Sequence, residues 1–264
     1  VDDCNDEDED STIRAEDTDC DGLIAARDCD DEDAGIKLCW LQVVTGNNFS
    51  CGLDHNGEVA CWGAVDHVAD SWSTALKEPP EGPFDVISAG RDHACGLTSV
   101  GEIACWGSDV SDKSSPTSAI YVDVSSGFED TCGITLAGEA LCWGQAGRVS
   151  YGYDFESVAA GDRYACGLKD LGDVECWGHS DYGEAEPTPL PSEEEEEEEE
   201  DTEEVGLFVA VSAAQYHTCG ILGETGEVKC WGVDWHDRLI SPDVLFNTIA
   251  TGENHNCGVT IDGM

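Results

Sequence analysis

Basic residues are scarce in this chain. Its 264 residues carry 11 Lys and Arg against 58 Asp and Glu, a formal net charge of −47. Nucleic-acid binding needs a basic footprint, and eleven scattered cations do not supply one. There is a single Met, and no run approaches the ~18 apolar residues of a membrane span. Enzyme signatures are missing too: no Gly-x-Ser-x-Gly, no phosphate loop, no His-Glu-x-x-His and no Cys/His nucleophile pair. Hydrophobic residues still make up 40% of the chain, with eight Trp, which is enough to build a core.

The acid is unevenly placed. Residues 1–33 hold sixteen carboxylates and two Arg, and residues 193–204 hold eleven carboxylates and no base. Without these tracts, 31 acids and nine bases remain over 219 residues, a net charge of −22. Two readings fit an acidic body. One is solubility in a salty or calcium-rich exterior, where screening relieves self-repulsion; the other is an acidic face for a cationic partner.

A repeat sets the architecture. The segment VVTGNNFSCGLDHNGEVACWG, ending at Gly63, returns in copies ending at Gly107, Gly144, Gly178 and Gly232. A sixth copy, IATGENHNCGVTIDGM, reaches the last residue. Each copy places Cys-Gly five residues after a small residue: Gly46, Gly90, Gly127, Gly161, Ala214 or Gly252. An aromatic stands six residues before that small residue: Trp40, Phe84, Tyr121, Phe155, Phe208 or Phe246. Short apolar runs broken by Gly predict strands and hairpins.

In the first copy, a three-residue loop His55-Asn56-Gly57 with Gly57 left-handed places Leu53 opposite Val59 and Cys51 opposite Cys61. That position is a non-hydrogen-bonded pair, where Cα atoms lie ~4.5 Å apart, within disulfide reach. The fifth copy is one residue longer, and its turn Gly223-Glu224-Thr225-Gly226 absorbs the insertion. The expected bridges are Cys51–Cys61, Cys95–Cys105, Cys132–Cys142, Cys166–Cys176 and Cys219–Cys230. Such pairs lack the close spacing of zinc knuckles and imply an oxidising compartment. The Trp after each second Cys is expected in the core between blades, beside the Gly that follows the first Cys. His93, His217 and His255, two residues before a first Cys, read as structural.

Copies 34 to 53 residues apart, each worth about four strands, fit the blades of a β-propeller. The pattern V-x-x-G…H-x-C-G-L…G-E-V-x-C-W-G resembles the regulator-of-chromosome-condensation repeat, in a cysteine-paired, bacterial secreted form. The resemblance covers roughly residues 40–264. It implies an all-β propeller, about seven blades when complete, with a broad face for protein binding. A secreted relative that inhibits β-lactamase implies that the scaffold can clamp an enzyme.

Residues 1–39 form a separate Asp/Cys-rich segment. Asp17-x-Asp19-x-Asp21-Gly22-Leu23-Ile24-x₃-Asp28 fits an EF-hand calcium loop, with Leu23 offering its carbonyl. Asp28, Asp30, Asp31 and Asp33 echo Asp3, Asn5, Asp6 and Asp8. The segment is similar to thrombospondin type 3 calcium repeats, so Ca²⁺ is the expected cofactor. Cys29–Cys39 and Cys4–Cys20 are the favoured pairs, although four cysteines permit three connectivities.

The propeller is assigned to residues 40–264, with residues 192–204 as an acidic loop insertion. Cys257 has no hairpin partner, because the sequence reaches Met264 where the returning strand is due. The expectation is a longer chain, with a cysteine beyond Met264 meeting Cys257. Closure by Gly35–Trp40 is the alternative. It fails on phase, because Trp40 already aligns with the inner-strand aromatics. Linkers 64–83, 108–120, 145–154, 179–207 and 233–245 differ most between copies and are expected to carry specificity.

The function expected is a secreted or cell-surface calcium-binding propeller, not an enzyme. It would act in protein interaction, adhesion or extracellular assembly, with another protein or its own copies as partner. An inhibitor clamp and a polysaccharide-acting enzyme are the alternatives.

Overall fold

The computed structural model describes residues 40–63, 76, 78–145, 148–187, 207–234, 239–242 and 244–261. The 1–39 segment, with its calcium and cysteine assignments, and the 192–204 insertion lie outside the described residues.

Among the described residues, six antiparallel sheets follow one another along the chain, one per sequence copy. The first joins β1 (Trp40–Thr45), β2 (Phe49–Asp54) and β3 (Val59–Gly63). The second joins β4 (Val86–Ala89), β5 (His93–Leu97) and β6 (Ile103–Gly107). The third joins β7 (Tyr121–Ser126), β8 (Asp130–Thr135) and β9 (Ala140–Gly144), with β10 (Val149–Tyr151) on its edge. The fourth and fifth are β11 (Phe155–Ala160), β12 (Tyr164–Lys169), β13 (Val174–Gly178) and β14 (Phe208–Ala213), β15 (His217–Leu222), β16 (Val228–Gly232). Among the described residues the sixth has β17 (Phe246–Thr251) and β18 (Asn256–Thr260). Four strands per blade were expected; among the described residues only the third sheet has four.

Hairpin register follows the loop chemistry. Gly57 is left-handed at φ 79°, and Asp54 Oδ1 accepts from the backbone N–H groups of Asn56 and Glu58. Leu53 then opposes Val59 and Cys51 opposes Cys61. In the longer fifth loop Cys219 still opposes Cys230. All five expected bridges form, with Cα atoms 4.0–4.1 Å apart. Cys257 is exposed and unbridged.

The same loop glycine joins neighbouring sheets. The carbonyl of Gly57 accepts from Phe84 N–H, and Gly101, Gly138, Gly172 and Gly226 do likewise for Tyr121, Phe155, Phe208 and Phe246. Each hairpin tip therefore clamps the aromatic that opens the next inner strand. That aromatic lies over the Gly after the first Cys: a Cβ at Gly96 would meet the Phe84 ring at 2.4 Å. This corrects the seat expected for the Trp. The small residue mainly makes room for the inner-strand ring, and the Trp packs at a tilt against that ring, as in Phe84–Trp106 with centroids 6.1 Å apart. Trp106, Trp143 and Trp231 are buried as expected, whereas Trp62 in the first sheet is exposed.

Candidate interaction faces

Because every inner strand runs the same way, the propeller has two unlike ends. The turns between the first and second strands of each sheet gather at one end, and the hairpin tips gather at the other.

At the turn end, residues from all six copies surround a cavity of about 290 Å³. The small repeat residues bring the turns together: a Cβ on Gly90 would lie 2.2 Å from the carbonyl of Gly127, and one on Gly127 equally close to that of Gly161. Backbone bonds cross the same seams, from Asn47 to Arg91, Arg91 to Gly127 and Phe128 to Gly161.

Side chains continue the stitching. The residue two before the first Cys reaches the residue one before the first Cys of the next copy. His93 Nε2 lies 2.7 Å from Thr131 Oγ1, Tyr164 Oη 2.9 Å from Thr218 Oγ1, and His217 Nε2 2.7 Å from Asn256 Oδ1. In the first pair, Phe49 and Ala94 share one apolar cluster. In these four seams polar thus meets polar and apolar meets apolar; the remaining one has Asp130 and Ala165 at the two positions. His93 and His217 are fully buried structural groups, whereas His255 is exposed. Burial, reinforced by the Lys113 charge, lowers the His93 pKa to about 3, so the ring stays neutral.

Linkers contribute here in a way the sequence did not reveal. Lys113 is buried, with its ammonium 2.6 Å from Asp92 and 3.0 Å from Glu129. Its carbonyl accepts from both Thr131 Oγ1 and Trp143 Nε1. Arg91 pairs with Glu129 and lies over the Phe128 ring. Glu184 is also buried, and its carbonyl accepts from Thr218 Oγ1. Leu76 fills the core beside Trp106. Linker residues 76, 113 and 184 thus hold the ring, although linkers were expected to hold specificity.

The hairpin-tip end is different. Val100, Leu136, Leu171 and Ile261 stand on the tips, with Leu136 74% and Leu171 72% exposed. The residue after each inner-strand aromatic is bulged out of register in five copies. It is Leu41, Val122 and Val209 in the odd-numbered copies, but Asp85, Glu156 and Asn247 in the even-numbered ones, all exposed. An acid follows the loop glycine in each complete hairpin: Glu58, Glu102, Glu139, Asp173 and Glu227. Aliphatic and acidic groups therefore alternate around this rim. Sequence reading missed the pattern, although the matched offsets contained it.

Among the described residues no cluster of three or more His, Cys, Asp or Glu could hold a metal ion. Nor is any described helix long and apolar enough to cross a membrane.

Residues 85–111 and 155–184, within the second and fourth copies, match the family model described as Regulator of chromosome condensation (RCC1) repeat. No curated protein matches the chain. The entire ectodomain of the receptor kinase CR4 from Physcomitrella patens aligns with 86% of the chain, at TM-score 0.65 and 23% identity; this chain spans 60% of that one. The CRINKLY WD40 ectodomain of the receptor kinase ACR4 from Arabidopsis thaliana gives TM-score 0.64 and 23% identity, covering 86% of this chain and 77% of that one. Prp20p from Saccharomyces cerevisiae, described with its binding to Gsp1p and histones, gives 0.65 and 17%, covering 85% and 69%. Sheet order, repeat pattern and these alignments agree: the chain folds as an RCC1-like β-propeller with one disulfide in each of five blades.

Proposed function

We propose that the chain is an extracellular protein-interaction module whose amino-terminal segment binds calcium. The observation that carries this reading is one disulfide in each of five blades of an RCC1-like propeller. Disulfides persist in oxidising exteriors, and receptor ectodomains are among the similar folds. The acidic composition suits a salty or calcium-rich exterior, where cations screen the repulsion between carboxylates.

Calcium would be held by Asp17, Asp19, Asp21, Asp28 and the Leu23 carbonyl, with the Asp30–Asp33 and Asp3–Asp8 repeats supplying further oxygen ligands. Neutralising this acid would relieve the repulsion between the segment's carboxylates. Titration calorimetry of the full chain with Ca²⁺ should show at least one site that Asp19→Ala with Asp21→Ala removes. Light scattering with and without Ca²⁺ reads whether the ion also controls association. An absence of calcium heat overturns the calcium assignment. Reduced thiols throughout the secreted chain overturn the extracellular one.

A further inference from the structure

We infer that the hairpin-tip end is the docking face of this module, and that its occupant is a protein segment both apolar and cationic. The inference rests on the protein-interaction reading above and adds the face and the chemistry of the partner.

The two ends differ in what their side chains already do. At the turn end, His93, Lys113, Tyr164 and His217 are buried and bonded across blade seams. The tip-end aliphatics do none of this. Leu136, Leu171 and Val209 are 60–74% exposed, while backbone bonds at the tips fix their positions: Leu136 N–H donates to Ile120 O and Gly172 N–H to Lys169 O. Rigid apolar groups held in water on one end of a propeller are surface awaiting a cover.

Charge selects the cover. Exposed Glu58, Glu102 and Asp173 stand one per blade among those aliphatics, and Asp85 and Glu156 follow the inner-strand aromatics in the blades between those of Leu41, Val122 and Val209. A second copy docked through the same face would set carboxylates against carboxylates. Nucleic acid and anionic lipid carry the wrong sign as well. An amphipathic segment of Leu-like and Lys- or Arg-like residues satisfies both components: its apolar side chains cover the aliphatics, and its cations meet the acids between them.

The test uses the full chain and a leucine–lysine amphipathic peptide as probe, with a leucine–glutamate peptide and phosphatidylserine vesicles as comparisons. Leu136→Ser with Leu171→Ser and Val209→Ser keeps every charge, including the Glu193–Glu200 tract. This triple should weaken leucine–lysine binding roughly tenfold or more while leaving the urea midpoint near that of the parent. Glu102→Gln with Asp173→Asn should flatten the salt dependence of binding. Tyr182→Ser at the turn end, where this exposed ring packs edge-on against Tyr216 of the β14–β15 turn, should change neither the binding nor its salt dependence. Full-strength binding to the triple overturns the proposal, as does equal binding of the leucine–glutamate peptide. Vesicle binding abolished by the triple overturns it in favour of a membrane. Loss of binding in Tyr182→Ser alone overturns the face assignment but leaves the interaction-module reading standing.

Discussion

The two ends of the propeller are built from the same six hairpins and do opposite things. At the turn end, neighbouring blades exchange backbone bonds, and buried polar side chains find partners in the next copy. At the tip end, the backbone bonds are equally regular, yet the side chains point into water. A repeat position inside the ring is constrained by its neighbour. One on the outside is free to vary, as Val122, Glu156 and Val209 do at a single offset.

The comparison breaks most readily at Lys113. Lys113→Met leaves Asp92 and Glu129 without their buried cation. The expected loss is about 3 kcal/mol, at the low end for breaking a buried pair because both carboxylates keep some exposure. Urea unfolding checks it.

Second in size, over pH 6.5 to 4.5, is the acid response of His93. Its folded pKa of about 3 lies below the unfolded value near 6.5. The unfolded chain therefore takes a proton that the folded chain refuses. Its contribution to stability is intact above pH 6.5 and falls by about 1.4 kcal/mol per unit toward pH 3. Replacing the pair by the first seam's chemistry, His93→Phe with Thr131→Ala, should remove this slope from urea midpoints measured between pH 6.5 and 4.5. A slope unchanged from the parent would show that His93 is not its source.

A smaller effect is expected at Tyr164. Its hydroxyl donates to His217 O and lies 2.9 Å from Thr218 Oγ1. Tyr164→Phe should cost about 1 kcal/mol in urea unfolding, because Thr218 keeps its bond to Glu184 O.

Much of this was legible in advance. Gly57 fixed the loop, the loop fixed the Cys51–Cys61 register, and period-2 geometry placed the bridge. The seam pairs were also readable, since His93 with Thr131 and Tyr164 with Thr218 recur at one offset between copies, but hairpins were read within copies. The linker residues were not readable. Lys113, Glu184 and Leu76 occupy seams from segments that share no phase, so no repeat announces them. The Trp seat was misread because Gly96 and its equivalents were considered against one strand neighbour. The ring that fills the space comes from the other neighbour, at Phe84.

The central claim is that polar side chains hold the ring at the turn end, whereas the exposed aliphatic side chains of the tip end do not. It is tested most directly by urea unfolding of two variants side by side. One combines Lys113→Met with Tyr164→Phe; the other combines Leu136→Ser, Leu171→Ser and Val209→Ser. The account predicts that the turn-end variant loses about 3 kcal/mol or more, while the tip-end variant stays within about 1 kcal/mol of the parent. Equal losses from the two variants would contradict it.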